Sequence, residues 1–404
     1  MNKNKKLIPE FRFPEFNSEG EWRYKNGDEL FEPVSNKNHN SDMSILAITQ
    51  EQGAIPREMI DYHVSVTDKS VESYKVVEVG DFIISLRSFQ GGIEYSNYLG
   101  LCSPAYIILR KKIDVVNDFY RFYFKSIPFI RDLNKNLEGI RDGKMVSYKQ
   151  FSEISIPNPE TKEQQKIASC LSSLEEVIAA HVQKLDLLKA HKKGLMQNLF
   201  PQEGETLPKY RFKEFENDRD WAEKILSEVA NYENGKAHEQ DISENGEFVV
   251  VNSKFISTDG EVAKYSNKAF CLAEKGDILM VLSDVPNGRA IAKCFYVYEE
   301  NKYTVNQRIC KLTSFDCDSL FIFHLMNRNS YFLSFDDGVK QTNLRNVDVQ
   351  NFPFLIPNNI KEQQKIASCL SSLDALITEQ AEKIEQLKLY KKGLMQGLFP
   401  KTID

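Results

Sequence analysis

Apolar residues recur at alternating steps of four and three in two separate stretches of the chain. The first runs Ile167, Leu171, Leu174, Ile178, Leu185, Leu188, Leu195, Leu199, and the second Ile366, Leu370, Leu373, Ile377, Ile384, Leu387, Leu394, Leu398. This is a heptad seam, and it predicts two long helices with one apolar edge each. His181 and Lys192 occupy polar rungs of the first seam, and Gln380 and Lys391 the same rungs of the second. Thr161 and Gln164 have the spacing of a capping box, and Asn358 or Asn359 is placed to cap the second helix. Each helix should run about 38 residues, or ~57 Å at ~1.5 Å per residue. Neither can bury its seam alone. An antiparallel pair is the simplest solution, with the polar rungs fixing register at some cost in stability.

The segments before the seams read differently. Short β-type runs fall at 82–86, 106–109, 248–251, 278–282 and 309–312, and two aromatic-rich stretches, 118–133 and 318–333, read as helical. The aromatic run from Phe119 to Phe124 is read as core rather than as a platform for stacking bases. The fold class is therefore mixed α/β (α+β). Segments 1–157 and 201–357 read as globular domains, and 158–200 and 358–404 as spacer helices.

The chain is an internal duplication. The thirteen residues 162–174 recur unchanged at 361–373, an offset of 199, and 192–197 recurs at 391–396. At the same offset, Arg12-Phe13 matches Arg211-Phe212, and Trp22 matches Trp221, the second of only two tryptophans. Between these landmarks the likeness fades to fragments such as Gly80-Asp81 and Gly276-Asp277. The helices satisfy a common requirement and the globular parts satisfy different ones. Gln164, Gln165, Gln363 and Gln364, shared outside the seam, suggest a second protein that docks twice.

Composition changes this picture little. The chain has 404 residues, 41% hydrophobic and 27% charged, with a net charge of −6. An acidic balance argues mildly against a nucleic-acid binder, but its distribution is uneven. Between Arg110 and Lys149 there are ten Lys or Arg against five Asp or Glu, whereas 302–350 has six against five. The seven cysteines show no Cys-x-x-Cys pair, so reduced thiols in a cytoplasm are expected and a zinc site is not. No apolar run suggests a signal peptide or a membrane span. Nucleotide-binding glycine motifs and His-Glu-x-x-His are absent from the sequence. Asn351-Phe352-Pro353-Phe354 superficially resembles the Asn-Pro-Pro-Phe of amino-methyltransferases, but lacks the second proline and reads as a strand edge. Asp81 and Asp277 read as turn residues rather than metal ligands.

Four polar loops carry side chains suited to phosphates and base edges. One pair follows the Gly-Asp strands, with Arg87, Ser88 and Gln90 in the first copy and Ser283, Asn287 and Arg289 in the second. The other pair precedes the long helices, with Arg141, Lys144 and nearby Lys149, then Lys340, Gln341, Thr342, Asn343 and Arg345. Each is also compatible with an ordinary surface turn.

Two divergent domains, each followed by a long helix opening on Lys-Glu-Gln-Gln-Lys-Ile-Ala, resemble the specificity subunit of type I restriction–modification enzymes. The residues that carry this are Ile156-Pro157, Glu163-Gln164 and Ile167, with Ile356-Pro357, Glu362-Gln363 and Ile366. The resemblance covers essentially the whole chain. It implies that each domain reads one half of a bipartite double-stranded DNA target, and that the helices set the unread gap and bind two methyltransferase (modification) subunits. Restriction translocase–nuclease subunits would join that core. S-adenosylmethionine, ATP and Mg²⁺ would belong to those partners, with no cofactor and no catalysis on this chain. The pattern also implies a pseudo-twofold, circular arrangement with adjacent termini. A coiled-coil scaffold carrying two non-DNA protein-binding modules is the competing reading.

Overall fold

The heptad stretches form two helices of 39 residues each, Thr161–Leu199 and Ile360–Leu398, in a computed structural model that describes residues 8–40, 42–60, 71–135, 146–285 and 288–400. The chain divides into two compact units, one of residues 1–183 and 382–404 and the other of 184–381. Each unit thus holds the first part of one long helix and the last part of the other.

Within each unit a four-stranded antiparallel sheet has the same order. In the first it is Phe31–Val34, Ile107–Lys111, Phe82–Ile84, Glu94–Tyr95, and in the second Ala230–Asn234, Ile309–Ser314, Ile278–Val281, Cys294–Tyr296. The duplication is therefore preserved in topology where the sequence no longer shows it. The predicted strands are all present. The two aromatic stretches each break into two helices, Asn117–Tyr123 with Ile127–Lys135 and Ser319–Met326 with Ser330–Leu333. In the first, Pro128 falls in the first turn of the second helix, where its missing N–H removes no intrahelical hydrogen bond, whereas in an unbroken helix it would. In the second, Arg328 adopts a left-handed backbone (φ 59°) and Asn329 caps the new start, accepting from Tyr331 N–H.

The aromatics form the core, as their spacing predicts. Phe31 sits 5.3 Å from Phe82 and 5.2 Å from Tyr120, and Phe119 and Phe124 are fully buried in the same cluster. Such edge-on pairs add to the burial of their area. The start of the first long helix and the end of the second enter this cluster through Ile167, Leu171, Leu398 and Phe399. The second unit repeats the plan with Ile366, Leu370, Leu199 and Phe200. The ends of the seam therefore serve the globular cores as well as the helix pair.

The two lysine rungs are answered within each unit. Lys192 reaches Asp374 at 2.5 Å, and Lys391 reaches Glu175 at 2.5 Å, at matching repeat positions. The N-terminal segment lies against the end of the second long helix, with Phe11 N–H donating to the Gly397 carbonyl at 2.8 Å. Tyr210 N–H does the same to Asn198 at 2.8 Å in the second unit. This adjacency is what the circular reading requires.

The Gly-Asp turns are structural, as read. Gly80 and Gly276 have φ of 96° and 95°, a conformation that favours glycine. Asp81 accepts from Glu78 N–H and forms a two-point pair with Arg110, while Asp277 accepts from Glu274 N–H and the Thr313 hydroxyl. The Asn-Phe-Pro-Phe segment leads into the strand Pro353–Ile356. All seven cysteines are free.

Candidate nucleic-acid interface

The second unit brings the two candidate loops together. Ser283–Asp284 and Thr342–Asn343 pair as an antiparallel ladder, Ser283 opposite Asn343. Leu344 N–H extends it to the Leu282 carbonyl at 2.8 Å, and the Gln341 amide donates to the Ser283 hydroxyl at 2.7 Å. Asp284 folds its loop back by accepting from Ala290 N–H at 2.6 Å and Ile291 N–H at 3.1 Å. Asp337 accepts from Val339 and Lys340 N–H, which holds its carboxyl below the usual range. The result is a braced edge with exposed Arg289, Lys340, Gln341, Asn343 and Arg345. Val285 and Val339 on the same loops are 64% and 76% exposed, apolar groups of the kind that can meet a thymine methyl.

Three of the polar residues have internal roles instead. Thr342 is buried and donates to Asp336 at 2.9 Å; Ser283 is buried beneath Gln341; Ser88 is buried and accepts from Ser85 N–H at 2.8 Å to close its turn. Arg345 forms a two-point pair with Asp348 at the start of the helix Asn346–Gln350, and the guanidinium holds that carboxyl low. Arg141, Lys144 and Asn287 lie outside the described residues.

In the first unit, Arg87 and Gln90 are exposed on a segment pinned from three sides. The Asn134 amide donates to the Phe89 carbonyl, Lys125 to the Gly91 carbonyl, and the Gln50 amide to the Arg87 carbonyl. Gly92 (φ 81°) passes so close to the Phe124 carbonyl that a Cβ would lie 1.9 Å from it. Lys125 also pairs with fully buried Glu94 at 2.5 Å; burial pushes the Glu94 carboxyl up and the Lys125 amine down. Sequence reading missed Gln50, in the turn of the hairpin Leu46–Thr49 to Gly53–Pro56, because only the fold brings it against the Arg87 carbonyl. Lys149 is exposed on the helix Tyr148–Ser152, which packs on Gly27–Leu30.

The shared glutamines need correction. Gln164 and Gln363 are 2% and 3% exposed and are not available to a partner. The Gln164 carbonyl accepts from Val116 N–H at 3.0 Å and its amide donates to the Pro159 carbonyl; Gln363 does the same with Asp318 N–H at 2.8 Å and the Pro357 carbonyl. The capping box expected from Thr161 and Gln164 is therefore not formed, since Gln164 is committed elsewhere. Asn359 does cap its helix, accepting from Lys361 N–H. Beside the glutamines, Glu163 and Glu362 are forked by Arg12 and Arg211. Half of the repeated motif thus clamps each helix to its own globular part. Gln165 and Gln364 remain exposed.

At the fourth turn of this motif the copies diverge. Ser172 accepts from Arg121, whereas Ser371 meets buried His324 at 2.9 Å. Burial, and then Lys192, push His324 down to about 4, so it is neutral in the folded unit. The unfolded chain takes up a proton at about pH 6.5 that the folded unit refuses, so this contribution is present above that pH and fades as pH falls toward 4. Denaturant unfolding should show about 2 kcal/mol of stability lost between pH 7 and 5, a loss absent in His324→Gln.

Comparison with known proteins bears directly on this architecture. The profile described as type I restriction modification DNA specificity domain matches twice, over residues 23–190 and 218–389. The chain belongs to this family. It is similar to the type I restriction enzyme MjaVIII specificity subunit of Methanocaldococcus jannaschii, with 26% identity over 354 residues, covering 83% of this chain and 81% of that one. In fold it resembles the type I restriction–modification S subunit of M. genitalium (TM-score 0.58, 14% identity, 98% of this chain and 100% of that one). A chain from a structural study of complex assembly and conformational transition of the type I R-M system gives TM-score 0.57 at 16% identity, over 95% and 98%. The specificity subunit is thus a DNA-recognition component that works with the other subunits of its complex, and the scaffold reading is set aside. Among the described residues no helix is long and apolar enough to cross a membrane, and no group of metal-ligating side chains gathers.

Proposed function

We propose that each globular unit reads one half of a bipartite duplex target, and that in the second unit the ladder of 283–284 with 342–343 is the reading edge. The observation that carries this is the pairing itself. Two loops selected separately for their chemistry become one braced edge, on which Arg289, Gln341 and Asn343 can present donors and acceptors without first being ordered. In the first unit, Arg87 and Gln90 take the equivalent part on their pinned segment. The long helices set the unread gap. Their exposed shared residues, Lys162, Gln165, Ser169 and Ser173 with Lys361, Gln364, Ser368 and Ser372, offer the same face to each of two methyltransferase subunits. Restriction translocase–nuclease subunits join that core. The chemistry, with its S-adenosylmethionine, ATP and Mg²⁺, resides on those partners in the cytoplasm, and this chain contributes sequence choice without catalysis.

In the complex with its methyltransferase partner, Asn343→Ala and Arg289→Ala are expected to relax the methylated sequence at single positions of one half-site, by roughly tenfold or more in discrimination. Genome-wide mapping of methylated sites reads this directly. A pattern identical to that of the unaltered complex in both variants would remove the ladder from base reading.

A further inference from the structure

The sequence left an imbalance: a basic stripe in the first copy and almost none in the corresponding span of the second. The fold resolves it by assembling cations from separate places. A cleft of about 710 Å³ in the second unit is lined by Lys254, Lys264 and Arg308, with Asn252, Asn306 and Glu239 among its other walls. All three cations are exposed. Lys254 stands on the short helix Ser253–Ser257, Lys264 just before the strand Tyr265–Ser266, and Arg308 just before Ile309–Ser314. The hydroxyl of Ser253, also on the wall, is buried without a hydrogen-bond partner. Among the described lining residues the one carboxylate, Glu239, accepts from Gln307 at 3.2 Å.

Backbone hydrogen bonds link the cleft's Arg308 to the ladder. The Arg308 carbonyl accepts from Leu282 N–H at 3.0 Å, and the Leu282 carbonyl accepts from Leu344 N–H at 2.8 Å. One row of backbone hydrogen bonds therefore runs from the cleft to the exposed edge of Gln341 and Asn343. Small-molecule pockets are lined mostly by apolar side chains with a few polar groups, whereas eight of the ten side chains around this cleft are polar or charged. Exposed cations and amides beside a base-reading edge suit a sugar–phosphate backbone, which fixes register without carrying sequence.

We propose that this cleft binds the phosphate backbone of the same half-site that the second unit reads, with Lys254, Lys264 and Arg308 as its phosphate contacts. The inference rests on the DNA-reading role of that unit. It separates two tasks within one domain: the ladder selects sequence and the cleft supplies salt-dependent affinity.

The test uses the complex with the methyltransferase partner and a duplex carrying its methylated site. Lys254→Gln, Lys264→Gln and Arg308→Gln, singly and together, are titrated across salt concentration. Each single change is expected to reduce the slope of log K against log salt by about 0.9, and the triple by two to three, with at least a tenfold loss of affinity at ~0.1 M salt. The methylated sequence should stay the same, and Lys254→Arg with Lys264→Arg should restore the slope. Because the three side chains are exposed, the single variants report even if the triple fails to fold. Unchanged slope and affinity in all the variants would overturn the proposal, as would an altered second half-site with the slope intact. Weaker binding of inorganic phosphate or a mononucleotide, with duplex binding unaffected, would overturn it in favour of a small ligand. Failure of the underlying DNA-reading role looks different: the unaltered complex would show no preference for its site, whatever the cleft variants do.

Discussion

Arg12→Met is expected to destabilise the first unit by about 3 kcal/mol or more, the cost of leaving a buried charge without its partner. Arg12 grips both oxygens of Glu163 at 2.8 Å, and the two side chains are 6% and 1% exposed. The same guanidinium donates to the Glu19 and Gly20 carbonyls, so one residue ties the N-terminal segment to the first turn of the long helix. Removing it strands a carboxylate in a place that water does not reach. The double variant Arg12→Met with Glu163→Leu should recover most of the loss, since an apolar pair of similar volume replaces a desolvated ion pair at little net cost. Arg211→Met in the second unit should cost less, because Trp221 also donates to Glu362 at 3.3 Å, whereas the Trp22 indole N–H has no partner. Hydrogen exchange over residues 156–171 and 355–370 reads the two units separately. Equal losses in both, or less than about 1 kcal/mol in the first, would show that the fork is not the anchor of the repeated motif.

Exchanging residues 22–156 for the same span of a relative with another target is expected to replace one half of the methylated sequence completely and leave the other half unchanged. The span begins at Trp22 and ends at Ile156, inside the strand pair Arg23–Asn26 with Ser155–Asn158 that closes the globular part. It leaves Arg12, Glu163 and Gln164 in place, so the anchor of the helix survives the exchange. The acceptors of the Gln164 clamp at 158–159 also remain, and only the Val116 N–H donor comes from the exchanged span. A backbone donor does not depend on side-chain identity, which is why diverged domains can share one helix. Mapping methylated sites before and after the exchange checks this. A change in both halves would overturn the assignment of one unit to one half-site.

The duplication separates two kinds of residue, those that anchor the shared helices and those that distinguish the globular parts, and sequence reaches them to different extents. Seam periodicity gave both helices nearly to their ends, because a 3.5-residue repeat leaves few other ways to bury so much leucine and isoleucine. The strands at 248–251 and 278–281 were equally plain, being short apolar runs between turn residues. Repeated identity marked Gln164 and Gln363 as important but gave the wrong reason. Identity does not distinguish a residue that faces a partner from one that faces its own core, and only burial and hydrogen bonding did so. Ser88 and Thr342 were misjudged in the same way, since short polar side chains close turns as readily as they meet ligands.

By itself the sequence determined the duplication, the two helices, the mixed α/β class and the family, all of which rest on local pattern or on identity at a fixed offset. Tertiary structure alone decided that residues 283–284 and 342–343 share a ladder, that Lys254, Lys264 and Arg308 meet at one cleft, and that half of the shared helix motif points inward. The reason is physical. The ladder joins residues 58 and 60 positions apart, and the cleft brings Arg308 to Lys254 and Lys264 from 54 and 44 positions away; no local spacing rule encodes such contacts.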